Sequence, residues 1–411
     1  MLRYVNTSDR KVLIENFLSL TFLKVLGMVL PLITLPYLIR VLGFERYGII
    51  VLANSLMVYF QSVTDFSFMI TATRDVAVFR SSPKKLNLIF SNVLLVKCLF
   101  LAISLLFILF IVLLYEPFYN NKEIFLLSTL SLLGHALLPD WFFQGVERMK
   151  VITIISTIIR VIFTVSVFIF IANENDYWLL PLLQGLGSVG AGAAAQYIML
   201  NKYNIKFYWL KPQRLKNTIK SNFPIFVNQF FPTLYNNTST FLLGLLTNTY
   251  FVGVYDALKK ITDILVSLMG ILSRVFFPFL SRKSSAFIKY KNLMLIACIG
   301  LVVLIMAGYK LIISFLNVDY IHAFWVLSIL LVSTIGYALY NIFGLNYFIV
   351  RREDRLVMKN TISSSIIGFI TAFPLIYFYG ILGAAFNLAL ARMLMGGQLY
   401  YKWYKIQRYE K

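Results

Sequence analysis

Four basic side chains, Lys24, Lys97, Arg160 and Arg392, each lie near the centre of a long apolar run by residue count. On insertion scales, a charge at the centre of a bilayer costs about 2.5–3.5 kcal/mol. Snorkelling or pairing with an acid would reduce that cost. A water-filled cavity would hydrate the charge and leave it available to an anion. The chemistry on offer is recognition of an anionic headgroup such as a pyrophosphate, to which Arg presents two parallel N–H donors. Lys24 has suitable surroundings, because Thr21, Gly27, Pro31 and Thr34 share its helix face and give a small, polar stripe around the charge. Asn228, Pro232, Tyr235 and Ser239 form a comparable stripe, which helix-to-helix packing would also explain.

A second group is Asp256, Lys259, Lys260 and Asp263, in which every member has an opposite charge three or four residues away. One reading is local neutralisation. The other has Lys259 or Lys260 contacting a substrate while Asp263 exchanges protons. Asp65 and Asp140, each towards the end of an apolar run, are further candidates for a gate or for ion coupling. His135 and His322 suit structural hydrogen bonds. The two cysteines, Cys98 and Cys298, both fall inside apolar runs, so neither a disulfide framework nor a metal site is expected. No cofactor is expected, and the G-x-x-x-x-G-K-[ST] phosphate loop is missing.

The elements that must hold these residues are transmembrane helices. Of 411 residues, 59% are hydrophobic and 13% charged, and the mean hydropathy is +0.78, outside the range of soluble domains. Runs of about 20 apolar residues, enough to cross a hydrocarbon core of about 30 Å, recur about twelve times. The first run is too long for a signal-peptide core and is read as an uncleaved helix. The net charge of +21 would suggest nucleic acid in a soluble protein. Here the charge clusters in alternate loops instead. One side holds Arg3, Arg10 and Lys11; Arg74, Arg80, Lys84 and Lys85; the basic segment 201–222; and Lys402, Lys405, Arg408 and Lys411. The other side holds Arg40, Arg46 and Lys122. The positive-inside rule then places both termini in the cytoplasm. Outward loops are short, which argues against a membrane polymerase or glycosyltransferase and for a non-enzyme.

Asn16-Phe17 and Tyr47-Gly48 are echoed at similar spacing by Asn222-Phe223 and Val252-Gly253, a weak sign of two six-helix halves. The expected organisation is an N-terminal lobe over 1–200, a cytoplasmic linker over 201–222 and a C-terminal lobe over 223–411.

Pro139-Asp140-Trp141-Phe142-Phe143-Gln144-Gly145-Val146-Glu147-Arg148 resembles the W-x-F-Q-G-x-E signature of polysaccharide repeat-unit (O-antigen) flippases. Leu42-Gly43-Phe44-Glu45-Arg46-Tyr47-Gly48 is similar to that family's first outward loop, and Asp65-Phe66-Ser67-Phe68 with Ala72-Thr73-Arg74-Asp75 to its second-helix end, with Ser67 where the pattern has Gly. The resemblance is strong over the first 150 residues or so. It implies an all-α integral membrane protein of the multidrug/oligosaccharidyl-lipid/polysaccharide exporter superfamily, with twelve transmembrane helices in two six-helix lobes around a central cavity. It also implies the substrate, an oligosaccharide on undecaprenyl pyrophosphate, moved across the bacterial inner membrane. Lys24, Lys97, Arg160, Lys259, Lys260 and Arg392 are the expected cationic cavity, and Asp65, Arg74, Asp140, Glu147 and Asp263 the expected gate or coupling residues. Expected partners are membrane lipid and the polysaccharide polymerase and ligase machinery. An ion-coupled drug or cation exporter of the same fold is the alternative, and would need a cavity built on Asp and Glu.

Overall fold

A backbone surrounded by hydrocarbon must satisfy its N–H and C=O groups internally, which leaves the helix as the natural element for this composition. The computed structural model describes residues 7–409, and its regular structure there is helical. The side chains of Arg3, Arg10, Lys11 and Lys411, counted among the loop charges, and of Asn16 and Phe17 in the expected repeat, lie outside the described residues. Among the described residues, nine helices are long and apolar enough to cross a membrane. The chain is a multi-pass, all-α membrane protein. It divides into two compact units, Met1–Leu42 with Leu56–Phe230, and Gly43–Ser55 with Phe231–Lys411.

The first unit draws on α1 (Thr7–Asp65), α2 (Phe68–Phe79), α3 (Pro83–Leu114), the short α4 (Glu116–Tyr119), α5 (Lys122–Leu137), α6 (Asp140–Gly145), α7 (Met149–Phe170), α8 (Leu179–Lys202) and the start of α9 (Pro212–Leu246). Helix α1 is interrupted at Gly43, whose φ of 72° is open to a residue without Cβ. Pro139 ends α5, because the residue before a proline is driven out of the helical region, and Leu138 is extended. Helices α5 and α8 approach closely: a Cβ on Gly192 would lie 2.9 Å from the Gly134 carbonyl oxygen. The core gathers Phe66, Phe68, Val76, Phe90, Trp141, Phe142, Phe143 and Met199.

The segment 201–222 belongs to this unit and is tied to α3 along its length. The Lys206 N–H donates to Asn87 Oδ1 (3.0 Å), the Tyr208 N–H to Ser91 Oγ (2.8 Å), and Asn92 Nδ2 to Thr218 Oγ1 (2.7 Å). Tyr203 stacks edge-on against Phe142, and burial pushes its phenol pKa up.

In the second unit are the rest of α9, then α10 (Thr249–Arg282), α11 (Phe287–Ala307), α12 (Tyr309–Leu316), α13 (Ala323–Leu339) and α14 (Asp354–Tyr409). A π-helix over Tyr340–Phe348 continues α13, and its buried Asn346 donates to Ser273 Oγ (2.6 Å) and to the Tyr290 hydroxyl (2.7 Å). Helix α14 is a hairpin. Gly380 takes φ 52°, a Cβ on Gly383 would collide with the Leu375 carbonyl, and Thr371 Oγ1 donates to Asn387 Oδ1 (2.8 Å) while Asn360 Nδ2 donates to the Met395 carbonyl (2.8 Å). The core here includes Phe287, Tyr290, Phe343, Phe348 and Trp403.

Between α1 and α2, buried Ser67 holds φ 61°, ψ 11°, the left-handed region that Gly enters freely. Its hydroxyl has no hydrogen-bond partner among the described residues. Ser67→Gly should therefore stabilise the protein by about 1 kcal/mol, the penalty of a left-handed L-residue. Thermal melting of the detergent-solubilised protein checks this, and a lowered Tm would contradict it.

Candidate functional site

In the first unit, the chain around Gly27 is arranged to receive a guanidinium. Arg160 reaches from α7 to α1, where Nη1 donates to the Leu23 carbonyl (2.9 Å). A Cβ on Gly27 would meet that same nitrogen at 2.5 Å, so glycine makes the room. Lys24, half-buried, follows Leu23 directly, and the two cations therefore share one stretch of α1. Among the described residues, Arg160 makes no other hydrogen bond and no ion pair, and its side chain is exposed.

Lys97 on α3 is held differently. Its Nζ lies 3.0 Å from Asp65 Oδ1, with the lysine side chain 5% and the aspartate 40% exposed. His135 and Asp140 are both near enough to feel the charges of Asp65 and Lys97, and His135 also that of Arg160. The fold thus brings Asp65, Lys97, Asp140 and Arg160 into one neighbourhood, with His135 among them.

Arg74 and Glu147 lie apart from this group. Arg74 is exposed and pairs with its neighbour Asp75 (3.3 Å). Glu147, at φ 60°, pairs with Arg80 (3.2 Å), another exposed contact of the kind worth less than about 1 kcal/mol. The Trp141–Glu147 segment forms α6 and its closing turn, in which the Arg148 N–H donates to the Phe143 carbonyl (2.8 Å). Trp141, Phe142 and Phe143 are buried in the unit's core. A Cβ on Gly145 would lie 2.6 Å from Val76 Cγ1, and Thr73 Oγ1 donates to the Trp141 carbonyl (3.1 Å). The signature segment is a wedge packed on α2.

The second unit holds two charge groups. Asp256 and Lys260 form an ion pair of 2.8 Å, and the Tyr47 hydroxyl donates to Asp256 Oδ2 (2.6 Å) while accepting from Lys260 Nζ. The other is looser: Lys259 Nζ lies 3.7 Å from Asp263 Oδ2, and Arg392 Nη2 lies 3.6 Å from Asp263 Oδ1. Arg392 also donates to Ser333 Oγ (3.1 Å) and Asn236 Oδ1 (3.3 Å) and faces the Tyr337 ring at 5.9 Å. Close packing of α13 on α14 places it, since a Cβ on Gly336 would lie 2.6 Å from the Arg392 carbonyl carbon. Sequence reading placed Tyr47 only in a loop motif, not beside these charges, and did not single out Ser333 or Tyr337. Each pairs with a residue distant along the chain, and spacing carries no signal for such contacts.

The model of a family described as "Polysaccharide biosynthesis protein" matches residues 13–284. A protein of Escherichia coli (strain K12) named "Putative O-antigen transporter" is 26% identical over 392 residues, 93% of this chain and 94% of the relative. A protein of the same name from Shigella dysenteriae is 26% identical over 395 residues, 93% of this chain and 97% of the relative. Among solved structures, "Lipid II flippase MurJ, inward closed conformation" superposes with a TM-score of 0.65 at 15% identity, covering 95% of this chain and 87% of that one. The inward-facing conformation of a multidrug resistance MATE family transporter of the MOP superfamily gives 0.61 at 12% identity, covering 92% and 94%. These likenesses establish the fold.

Removing one partner of a buried ion pair strands the other charge. Because Asp65 is 40% exposed and water screens the pair from that side, Asp65→Ala should cost about 1–3 kcal/mol by leaving the buried Lys97 unpaired, whereas Asp65→Ala with Lys97→Met should recover much of that loss. Melting curves of the two single variants and the double variant measure the coupling; strictly additive losses would show that the pair contributes nothing.

Proposed function

Because this chain belongs to the polysaccharide biosynthesis protein family, we propose that it is a flippase moving an oligosaccharide linked to undecaprenyl pyrophosphate from the cytoplasmic to the periplasmic leaflet by alternating access. The observation that carries this reading is Arg160. It is a guanidinium halfway along the apolar helix α7, with one carbonyl partner and no ion pair among the described residues, and Lys24 directly follows the residue whose carbonyl it holds. Its remaining N–H donors suit a diphosphate bidentately. Lys24, Lys97, Arg160, Lys259, Lys260 and Arg392 are the proposed anion-binding cations, with Asp65, Arg74, Asp140, Glu147 and Asp263 serving as gate or coupling residues. Lys97 and Lys260, already paired with Asp65 and Asp256, would take part through their partners.

In this reading the chain crosses the bacterial inner membrane twelve times with both termini cytoplasmic. The nine apolar helices supply most of the crossings. The bends at Gly43 and Gly380 divide two helices far longer than one bilayer, and α9 adds a crossing of its own. The loop charges support the orientation. The substrate would be carried whole, without covalent chemistry by the protein, and handed to polymerase and ligase machinery. A drug or cation exporter of the same fold would need acids free to bind a cation, whereas Asp65, Asp256 and Asp263 all face Lys or Arg.

Deleting the gene should leave lipid-linked oligosaccharide facing the cytoplasm, as measured by its inaccessibility to an external glycan-modifying enzyme. Accumulation on the outer leaflet would place the protein after translocation and overturn the reading. Lys24→Ala with Arg160→Ala should cut surface glycan display by tenfold or more, about 1.4 kcal/mol in transport-relevant binding, at an unchanged membrane level of the protein. Normal display would remove these two residues from the site.

A further inference from the structure

The charges of the second unit differ in how well they balance. Asp256 and Lys260 neutralise each other one to one at 2.8 Å, with Tyr47 closing the group. Asp263 is shared by two cations, Lys259 and Arg392, at 3.7 and 3.6 Å. Both distances exceed the roughly 2.7–2.9 Å of a charge-assisted hydrogen bond. One carboxylate between two cations leaves a net positive charge. That charge sits on the most enclosed side chains: Arg392 is 3% exposed and Lys259 15%, while Asp263 is 43% exposed. Moreover, Arg392 Nε is buried with no hydrogen-bond partner among the described residues. An enclosed donor without an acceptor, beside an uncompensated charge, is costly unless an anion completes the set. Asp263, the exposed member, is the one able to turn towards water when that happens.

We infer that Arg392 and Lys259 form a diphosphate-binding site of which Asp263 is the built-in counter-ion, seated when the site is empty and displaced when the diphosphate arrives. This rests on the flippase reading for its choice of anion. The arrangement has a use in a carrier, because a site that holds two cations open binds its anion too tightly to let go. A carboxylate competing for the same cations weakens binding and speeds release. Asp263 thus opposes the ligand instead of holding it, and the sign of its substitution follows: removing its charge should tighten binding.

The test uses the full chain, purified in detergent, titrated calorimetrically with inorganic pyrophosphate and separately with farnesyl diphosphate. Asp263→Asn should bind about tenfold more tightly than the parent, the effect expected for removing one competing charge at close range. Asp263→Glu should bind like the parent, and adding Lys259→Gln to Asp263→Asn should abolish the gain. Melting temperature verifies that each variant is folded, and Asp263→Ser, which also removes the carboxylate, takes the place of Asp263→Asn if that one fails to fold. A gain with farnesyl diphosphate, alone or with pyrophosphate, supports a lipid-borne ligand. A gain with pyrophosphate alone keeps the counter-ion but overturns the lipid-borne assignment. Unchanged or weaker binding by folded Asp263→Asn, or no binding by any of the proteins, overturns the proposal. Because no sugar and no translocation enter this measurement, its failure is separable from failure of the leaflet experiment, and the reverse also holds.

Discussion

A charge within a bilayer has little water to solvate it, so every Lys, Arg and Asp at membrane depth must be answered by something the protein itself supplies. Much of this chain's arrangement follows from the different answers it gives. Lys97 is answered by a carboxylate from the end of α1. Lys260 is answered by Asp256 and a phenol. Arg160 is answered by a single backbone carbonyl and a glycine that makes room. Arg392 is answered by a hydroxyl, an amide and a shared carboxylate. The first two arrangements are closed and neutral, so those cations reach an anion only if their pair opens. The last two leave donors without a protein acceptor among the described residues.

The same constraint explains the helix packing around them. Small residues let helices approach until polar groups can reach across, since lipid gives no hydrophobic drive to associate. Gly336 brings α13 onto the backbone at Arg392, and Gly27 admits the guanidinium of Arg160. The aromatic wedge of α6 serves the opposite purpose. Trp141, Phe142 and Phe143 fill the core of the first unit, and Gly145 sets the wedge tightly against α2. The segment that most clearly signals the family is thus, in this fold, a packing element with an exposed ion pair at its edge.

Much of the architecture was legible in the chain itself. Apolar run length makes a membrane helix, and glycine at an otherwise apolar position makes a turn, as at Gly380, where the hairpin of α14 closes. Helix α9 was legible too: Asn228, Gln229, Asn236 and Asn237 lower its hydropathy, yet the apolar run that begins at Phe223 and the helix both end at Leu246. The segment 201–222 read as a linker by composition, yet Asn87, Ser91 and Asn92 of α3 bind it into the first unit. Those hydrogen bonds join residues more than a hundred positions apart, beyond the reach of any local pattern.

What the sequence by itself determined was the class of molecule and its inventory of charges: apolar runs too long for soluble helices, basic residues segregated by loop, and cations at depths where each needs a reason. Composition and period suffice for this because solvation by lipid acts on each residue separately. Which cation is paired and which is left open was decided only by the tertiary structure. Lys97, Lys260, Arg160 and Arg392 are alike as charges in apolar runs. They differ because a carboxylate 32 positions away reaches the first, a tyrosine 213 positions away helps close the second, and no acid among the described residues reaches the third. For the fourth, two cations share one aspartate. Coulomb energy depends on distance through space, and folding sets that distance.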